Sequence, residues 1–217
     1  MVGNYLHSYF ESPEAHQAFI DEHKTDIISK TGRTKGQPKA PYKQADKMIN
    51  CFKNDPGFVK LYQGTKETIV KGKIFGVMWK GKIDCLNLNR HCFIDIKTTQ
   101  NIHKAYWSNE ARNRESFIAH WNYQLQMWVY QQLIRQTFGV ICTPYIAAVT
   151  KQDVPDHDVI SIPQYRLDEA RDQVSMNQEH IEAVKNGQVK PARCGECEYC
   201  RLTKRIGSIP SMDDLVD

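Results

Sequence analysis

Two acids and a lysine interrupt apolar segments of the sequence and are the residues best suited to chemistry. In FIDIKTTQ, residues 93–100, Asp95 and Lys97 alternate with the apolar Ile94 and Ile96. Successive side chains of a strand point to opposite faces, so the acid and the base share one face and the isoleucines the other. Burying an acid and a base in an apolar strand costs desolvation free energy. The pair is therefore either a surface salt bridge at the end of the strand or part of a reactive site.

A second acid lies a short distance upstream. Asp84, in GKIDCL, follows a glycine turn and lies in another apolar segment. If two neighbouring strands bring Asp84 beside Asp95, the carboxylates repel each other unless a cation lies between them. Oxygen ligands select hard ions, most naturally Mg²⁺ or Mn²⁺, and a lysine beside a metal-bound water stabilises developing charge. This combination predicts a site equipped for phosphodiester hydrolysis.

The segments around these residues predict an α/β or α+β fold, a central β-sheet flanked by helices in the order α-βββ-α-ββ-α. Ser12 and Pro13 predict a helix start, and residues 67–99 predict three strands with tight glycine turns. SFIAHWNYQLQMWVYQQLIRQTFG predicts one long helix that ends near Gly139. Two further strands are predicted in PYIAAVTK and DVISIP, and a last helix in RLDEARDQVSMNQEHIEAVKNG.

Two other motifs flank the acids. YQLQMWVY places Gln126 and Tyr130 one helical turn apart, with Tyr123 on the same face; by itself this also fits an ordinary amphipathic helix. GNYLH at the start of the chain contains His7, which alone indicates no chemistry. Glu67, at the head of the first predicted strand, either faces the site or is a surface charge, and the interpretation as a surface charge is preferred.

Taken in chain order, GNYLH, GKID, FIDIKTT and the Gln126–Tyr130 helix resemble the motifs of the PD-(D/E)XK nuclease superfamily in its RecB-like branch. The sequence is similar to phage and prophage exonucleases of the exodeoxyribonuclease VIII type. The resemblance implies a restriction-endonuclease-like core with a mixed sheet, in a nuclease domain of residues 1–190 that a further N-terminal segment precedes. It also implies a metal site formed by His7, Asp84, Asp95 and the carbonyl of Ile96.

The resemblance further implies that Lys97 orients or activates water and that Gln126 and Tyr130 brace the lysine and the substrate. The implied activity is a Mg²⁺-dependent 5′→3′ exonuclease on linear double-stranded DNA that leaves 3′ tails for recombination. The implied partners are a single-strand annealing protein and further copies of the chain in a ring. Two alternatives remain open, a catalytically silent nucleic-acid-binding module and a metal-stabilised interaction protein.

The cysteines suggest a second centre. The 217-residue chain has seven cysteines, and CGECEYC in the tail, residues 191–217, spaces Cys194, Cys197 and Cys200 as C-x2-C-x2-C. Thiolates at this spacing converge on zinc or an iron–sulfur cluster, and the resemblance implies that such a cluster follows the nuclease core. The fourth ligand is either Cys51 or a residue of the preceding N-terminal segment. The alternative is that the three cysteines are reduced and lie in a flexible tail without a metal. Cys85 and Cys92 are predicted to be buried packing residues.

Bulk composition narrows the function only slightly. The formal net charge is +4, which suits a polyanionic partner but also many ordinary enzymes. The scattered cysteines favour a reducing cytosol over a disulfide framework, and the sequence predicts no membrane span. A basic stretch at residues 30–43, which includes Lys35 and Lys39, is either a phosphate-contacting loop or a solvated connector.

Overall fold

The computed structural model describes residues 1–108, 112–195, 197–207 and 209–215. Two compact units, Met1–Ser175 and Met176–Asp217, make up the chain. The first unit opens with helices, which are α1 (Val2–Glu11), α2 (Pro13–Glu22), α3 (Lys24–Ile27), α4 (Ala40–Lys53) and α5 (Pro56–Leu61), with a 3₁₀ turn at Gly32–Thr34. Ser12 caps α2, as predicted, because its side chain accepts a hydrogen bond from the amide of Ala15. The preceding α1 was not predicted.

A mixed five-stranded sheet follows these helices. The strands in chain order are β1 (Thr65–Ile74), β2 (Val77–Asn87), β3 (Cys92–Thr99), the short hairpin strands β4 (Tyr106–Ser108) and β5 (Asn113–Glu115), and then β6 (Thr143–Thr150) and β7 (His157–Ser161). The main sheet has the order β1-β2-β3-β6-β7. Strands β3 and β6 are parallel and the other neighbours are antiparallel. The predicted mixed sheet flanked by helices is therefore confirmed, and the separate β4–β5 hairpin is an addition.

The segment that follows the β4–β5 hairpin was predicted to be one long helix, but it forms two helices. A short α6 (Phe117–His120) is followed by α7 (Tyr123–Phe138), and Asn122 between them adopts a left-handed conformation with φ 52°. Asparagine tolerates this conformation better than most residues. Gly139, also left-handed, ends α7 as the sequence predicted. The break sets the start of α7, which carries Gln126 and Tyr130.

Apolar layers cover both faces of the sheet. Ile94 and Ile96 pack in one layer with residues of α1 and α4, among them Leu6 and Met48. The opposite layer contains Phe93 of the same strand, which packs with residues of α7. This alternation confirms that the isoleucines of FIDIK share one face, and it directs the side chains of positions 95 and 97 toward the other.

The long helix α8 (Gln164–Lys185) begins in the first unit and ends in the second. The second unit also contains α9 (Glu198–Leu202) and a 3₁₀ turn at Met212–Leu215. Within the part of the chain that the structure describes, every helix is too short or too polar to cross a membrane.

Candidate active site

Strands β2 and β3 bring the two predicted acids together. The antiparallel register pairs Cys85 with Ile94, and one step further along the strands Asp84 lies opposite Asp95. The strands separate there, and the amide of Ile96 donates a hydrogen bond of 2.7 Å to Asp84 Oδ2. Both acids are buried, with exposed fractions of 7% for Asp84 and 2% for Asp95. Two adjacent buried carboxylates are unfavourable without a compensating cation.

Asp95 shows the effect of this crowding. Burial and the neighbouring charge of Asp84 raise the pKa of Asp95 to about 6, although Lys97 and His7 oppose the rise. The ammonium of Lys97 lies 2.5 Å from Asp95 Oδ2. Apart from this ion pair, Asp95 Oδ2 is buried without a hydrogen-bond partner among the described residues. An oxygen in this position is suited to accept a cation.

Lys97 is held between the acids and an aromatic ring. Its side chain is only 15% exposed, and its Nζ lies 4.8 Å from the ring centroid of Tyr123 in α7. Burial alone would lower the pKa of Lys97, but Asp95 and Asp84 outweigh burial and raise that pKa. The lysine is therefore a charged group inside the site and not a strand-end surface charge.

Helix α1 contributes His7 from the opposite layer. His7 Nδ1 lies 3.2 Å from Asp84 Oδ2. Burial would lower the pKa of His7, but the hydrogen bond and the charge of Asp84 more than compensate, and the pKa is raised. The hydroxyl of Tyr62 donates a bond of 3.3 Å to the backbone carbonyl of Asp84. Asp84 is thus held by three contacts, which come from His7, from Tyr62 and from the amide of Ile96.

Helix α7 completes the cluster on the other side. Gln126 Nε2 lies 3.4 Å from Asp95 Oδ1 and donates a 2.8 Å hydrogen bond to the hydroxyl of Tyr130. The ring of Tyr130 packs directly over Gly81 of β2, where an added Cβ would lie 2.7 Å from Cε1 of that ring. Gly81 therefore permits the close approach of helix and strand that brings Gln126 to the acids.

The structure also places Glu67 beside the site, and its interpretation as a surface charge is wrong. The pairs Lys66–Cys85 and Thr68–Ile83 put Glu67 opposite Asp84 in the register of β1 and β2. Its side chain is 13% exposed and forms an ion pair with Lys82. Burial raises the pKa of Glu67, as does Asp84, although Lys82 opposes the rise. The backbone of Glu67 is left-handed, with φ 51°, a local feature that no sequence motif predicts.

The three tail cysteines converge in the second unit. Among the described residues, Cys194, Cys197 and Cys200 form a cluster whose sulfurs all lie within 4.8 Å of one another. The amide of Cys197 donates to the sulfur of Cys194, and the amide of Cys200 donates to the sulfur of Cys197. The amide of Cys200 lowers the pKa of Cys197, but the neighbouring thiols of Cys194 and Cys200 outweigh it and raise that pKa. The Sγ of Cys51 lies within the first unit at 3.1 Å from His157 Nδ1, and Cys85 and Cys92 are buried as predicted.

A mixed sheet that presents two acids and a lysine from adjacent strands, beneath a glutamine of a crossing helix, defines a restriction-endonuclease-like nuclease fold. The chain belongs to the family of the PDDEXK-like domain of unknown function (DUF3799), whose model matches residues 1–203. The family and the fold together support a nuclease, with DNA as the substrate that a nuclease implies.

One solved structure agrees with this assignment. The crystal structure of a "putative exonuclease" from Eubacterium rectale superposes with a TM-score of 0.88 and is 34% identical, over 99% of this chain and 77% of that one. The crystal structure of SSO0001 is 14% identical over 90% of this chain and 81% of its own, but its TM-score of 0.31 is too low to carry an argument. No curated protein matches the sequence.

Proposed function

We propose that this chain is a divalent-metal-dependent DNA exonuclease that degrades linear double-stranded DNA in the 5′→3′ direction. The observation that carries the proposal is the convergence of Asp84, Asp95 and Lys97 on one side of the sheet, contacted by His7 and Gln126. The name of the Eubacterium rectale relative supports exonuclease action. Strand polarity, 3′-tailed products and a role in recombination rest on the resemblance to exodeoxyribonuclease VIII-type enzymes.

The residues present fit a hard divalent cation. Asp84 and Asp95 supply carboxylate oxygens, and Asp95 Oδ2 is buried, with the Lys97 ammonium as its ion-pair partner among the described residues. Carboxylate oxygens are the ligands that Mg²⁺ and Mn²⁺ prefer. A bound ion of this kind lowers the pKa of its water and neutralises charge on a phosphate. Asp84, Asp95 and the carbonyl of Ile96 would hold it, with His7 as a further ligand or as the group that orients Asp84.

The side chains around the acids have separate proposed roles in catalysis. Lys97 is charged and points into the acid cluster, so its ammonium can orient the attacking water and stabilise negative charge that develops on the phosphate. Gln126 bridges Asp95 and Tyr130 and keeps the carboxylate oriented. Tyr130 and Tyr123 cover the site from α7 and would contact the substrate.

The proposal also includes a protein partner, a ring-shaped assembly and a second metal centre. We infer that the enzyme works with a single-strand annealing protein and assembles with copies of itself as a ring around its product. We also propose that the tail cysteines bind zinc or an iron–sulfur cluster, because three soft thiolate ligands within 4.8 Å suit those centres. The identity of the fourth ligand stays a prediction.

The test uses linear duplex DNA labelled separately at its 5′ or 3′ ends, with and without Mg²⁺, and a covalently closed circle of the same sequence. Asp84→Asn is the matched control, because it keeps the shape of the side chain and removes one negative charge. Early release of 5′-labelled nucleotides, dependent on Mg²⁺ and absent for the circle and for the variant, supports the proposal.

Other results would redirect the assignment. Early loss of the 3′ label would reverse the polarity, and cleavage of the circle would indicate an endonuclease. DNA binding without cleavage would favour a silent binding module, and neither binding nor cleavage would favour an interaction protein organised around the cysteines.

A further inference from the structure

A second cluster of reactive side chains joins α4, the start of α5 and β7. The Sγ of Cys51, in α4, lies 3.1 Å from His157 Nδ1. The other ring nitrogen, Nε2, lies 2.6 Å from Oδ2 of Asp55, the residue that caps α5. Thiol, imidazole and carboxylate thus form a continuous chain of hydrogen bonds, separate from the acids and the lysine of the candidate active site.

The hydrogen-bond partners assign the protons in this chain. The pKa of Asp55 is lowered by the hydrogen bond of His157 and by the amides of Phe58 and Gly57, so its carboxylate is ionised and only accepts. In the neutral imidazole, this contact places the hydrogen on Nε2 of His157 and leaves the lone pair of Nδ1 facing the sulfur. Burial raises the pKa of Cys51, as do Asp156 and Asp55, so the thiol keeps its proton. Two acceptors lie within reach of that proton, His157 Nδ1 at 3.1 Å and the carbonyl of Pro155 at 3.4 Å.

This order of groups is that of a nucleophile, a general base and an acid that orients the base. We propose that Cys51 is a nucleophilic thiol with His157 as its general base, and that it is a site of covalent modification by small uncharged electrophiles, hydroperoxides among them. Cys51 and His157 are both half-buried, so the cluster lies at the surface of the unit and not in its sealed core. Asp55 and Asp156 disfavour anionic reagents by charge repulsion.

The chemical step with a hydroperoxide is balanced. The sulfur attacks the terminal peroxide oxygen while the thiol proton passes to His157 Nδ1. An S–O bond forms and the O–O bond breaks, so the sulfur is oxidised to a sulfenic acid and the peroxide is reduced. The leaving oxygen takes the proton back from the imidazolium, which gives water or an alcohol. With iodoacetamide the corresponding step forms an S–C bond and releases iodide and a proton.

The test measures the rate of iodoacetamide labelling at each cysteine of the full chain by peptide mass spectrometry, at neutral pH, in the folded protein and in urea. Cys51 is expected to react at least about tenfold faster folded than unfolded, in line with general-base assistance. Cys85 and Cys142, which are buried, should be protected in the same sample and report that the chain is folded. Iodoacetate should label Cys51 more slowly than iodoacetamide relative to their rates on the unfolded chain.

Two variants separate catalysis from structure. Asp55→Asn keeps a good helix cap but removes the charge that supports the imidazolium, and His157→Gln removes the base. Both are expected to lower the folded-state rate at Cys51 about tenfold or more. If His157→Gln loses the protection of Cys85 and Cys142, the Asp55→Asn result alone decides.

A folded-state rate at Cys51 no higher than the unfolded rate, or a rate unchanged in Asp55→Asn, would overturn the proposal and leave the network a structural hydrogen bond. In the wild type, hydrogen peroxide followed by a 1,3-diketone trap should give the sulfenic-acid adduct at Cys51. These measurements do not depend on nuclease activity, so the proposal stands or fails separately from the proposed function.

Discussion

Replacement of Lys97 by methionine separates the stabilising role of the lysine from its proposed chemical role. Methionine keeps most of the apolar stem and removes the ammonium that lies 2.5 Å from Asp95 Oδ2. Loss of one partner from a buried ion pair typically destabilises a protein by about 3–5 kcal/mol, because the other charge stays buried and unpaired. Here the uncompensated group would be Asp95, beside Asp84.

The destabilisation should depend on pH in a defined direction. The pKa of Asp95 is raised from its ordinary 3.8 to about 6, so protonation of Asp95 stabilises the folded state. Its contribution to the free energy of unfolding is complete below about pH 3.8 and is lost as the pH rises through 6. At 1.4 kcal/mol per pH unit, the loss is about 3 kcal/mol. Without Lys97, which holds this pKa down, the loss should be larger. We expect Lys97→Met to reduce the free energy of unfolding by about 3 kcal/mol at pH 8 and by about 1 kcal/mol or less at pH 5.

Urea unfolding followed by tryptophan fluorescence, in chelator at both pH values, measures these free energies. The matched control is Lys47→Met, since the Lys47–Asp153 pair has side chains 49% and 92% exposed and an exposed pair contributes at most about 1 kcal/mol. Equal losses for Lys97→Met at the two pH values would refute the coupling between Lys97 and Asp95. In Mg²⁺ at pH 8, the variant should retain DNA binding but cleave about 10²–10³-fold more slowly.

Three further predictions address the metal, the DNA and the cysteines. Mg²⁺ or Mn²⁺ should raise the midpoint of thermal unfolding of the wild type and shift Asp84→Asn far less, because binding to the folded state alone stabilises it; equal shifts would contradict a site at these acids. Lys35→Ala should reduce the slope of log affinity against log salt by about 0.9 if its exposed side chain contacts a phosphate, and an unchanged slope would make residues 30–43 a solvated connector. Cys197→Ser should reduce the bound metal, measured by elemental analysis of anaerobically purified protein, to a trace from about one equivalent of zinc or about two to four equivalents of iron; a wild type without either metal would contradict the centre.

Periodicity and residue chemistry predict the central strands well. The alternation in FIDIK follows from the two-residue repeat of a strand, and the structure places Ile94 and Ile96 together in the α1–α4 layer. The grouping of Asp84 with Asp95 requires only that two strands with a short connection pair as a hairpin. Both inferences depend on local geometry, which short stretches of sequence encode strongly.

Sequence patterns do not predict the parts of the site that depend on left-handed backbone conformations and on packing. Asn122 adopts a left-handed conformation and so divides a segment that the apolar pattern predicts to be one helix. Glu67 likewise adopts a left-handed conformation, and its burial depends on the register of β1 against β2. A hydrophobic pattern does not specify either feature, although an acid directly opposite Asp84 can be found once the register is known.

The charges of the site form three matched pairs across three adjacent strands. Glu67 pairs with Lys82, Asp84 with His7, and Asp95 with Lys97. Each acid therefore has a basic partner within the protein, and Asp84 raises the pKa of His7, which favours the cationic form of that partner.

A divalent ion that binds in this cluster takes the place of one of these basic groups as the partner of an acid. Lys97 has an alternative contact in place, the face of the Tyr123 ring at 4.8 Å, which can hold a displaced ammonium by cation–π attraction. We infer that Lys97 is the counter-ion of Asp95 when no metal is bound, and that its ammonium would turn toward water and phosphate when Asp95 holds one. On this proposal, the acid and the base two residues apart in an otherwise apolar strand are alternative partners within one site.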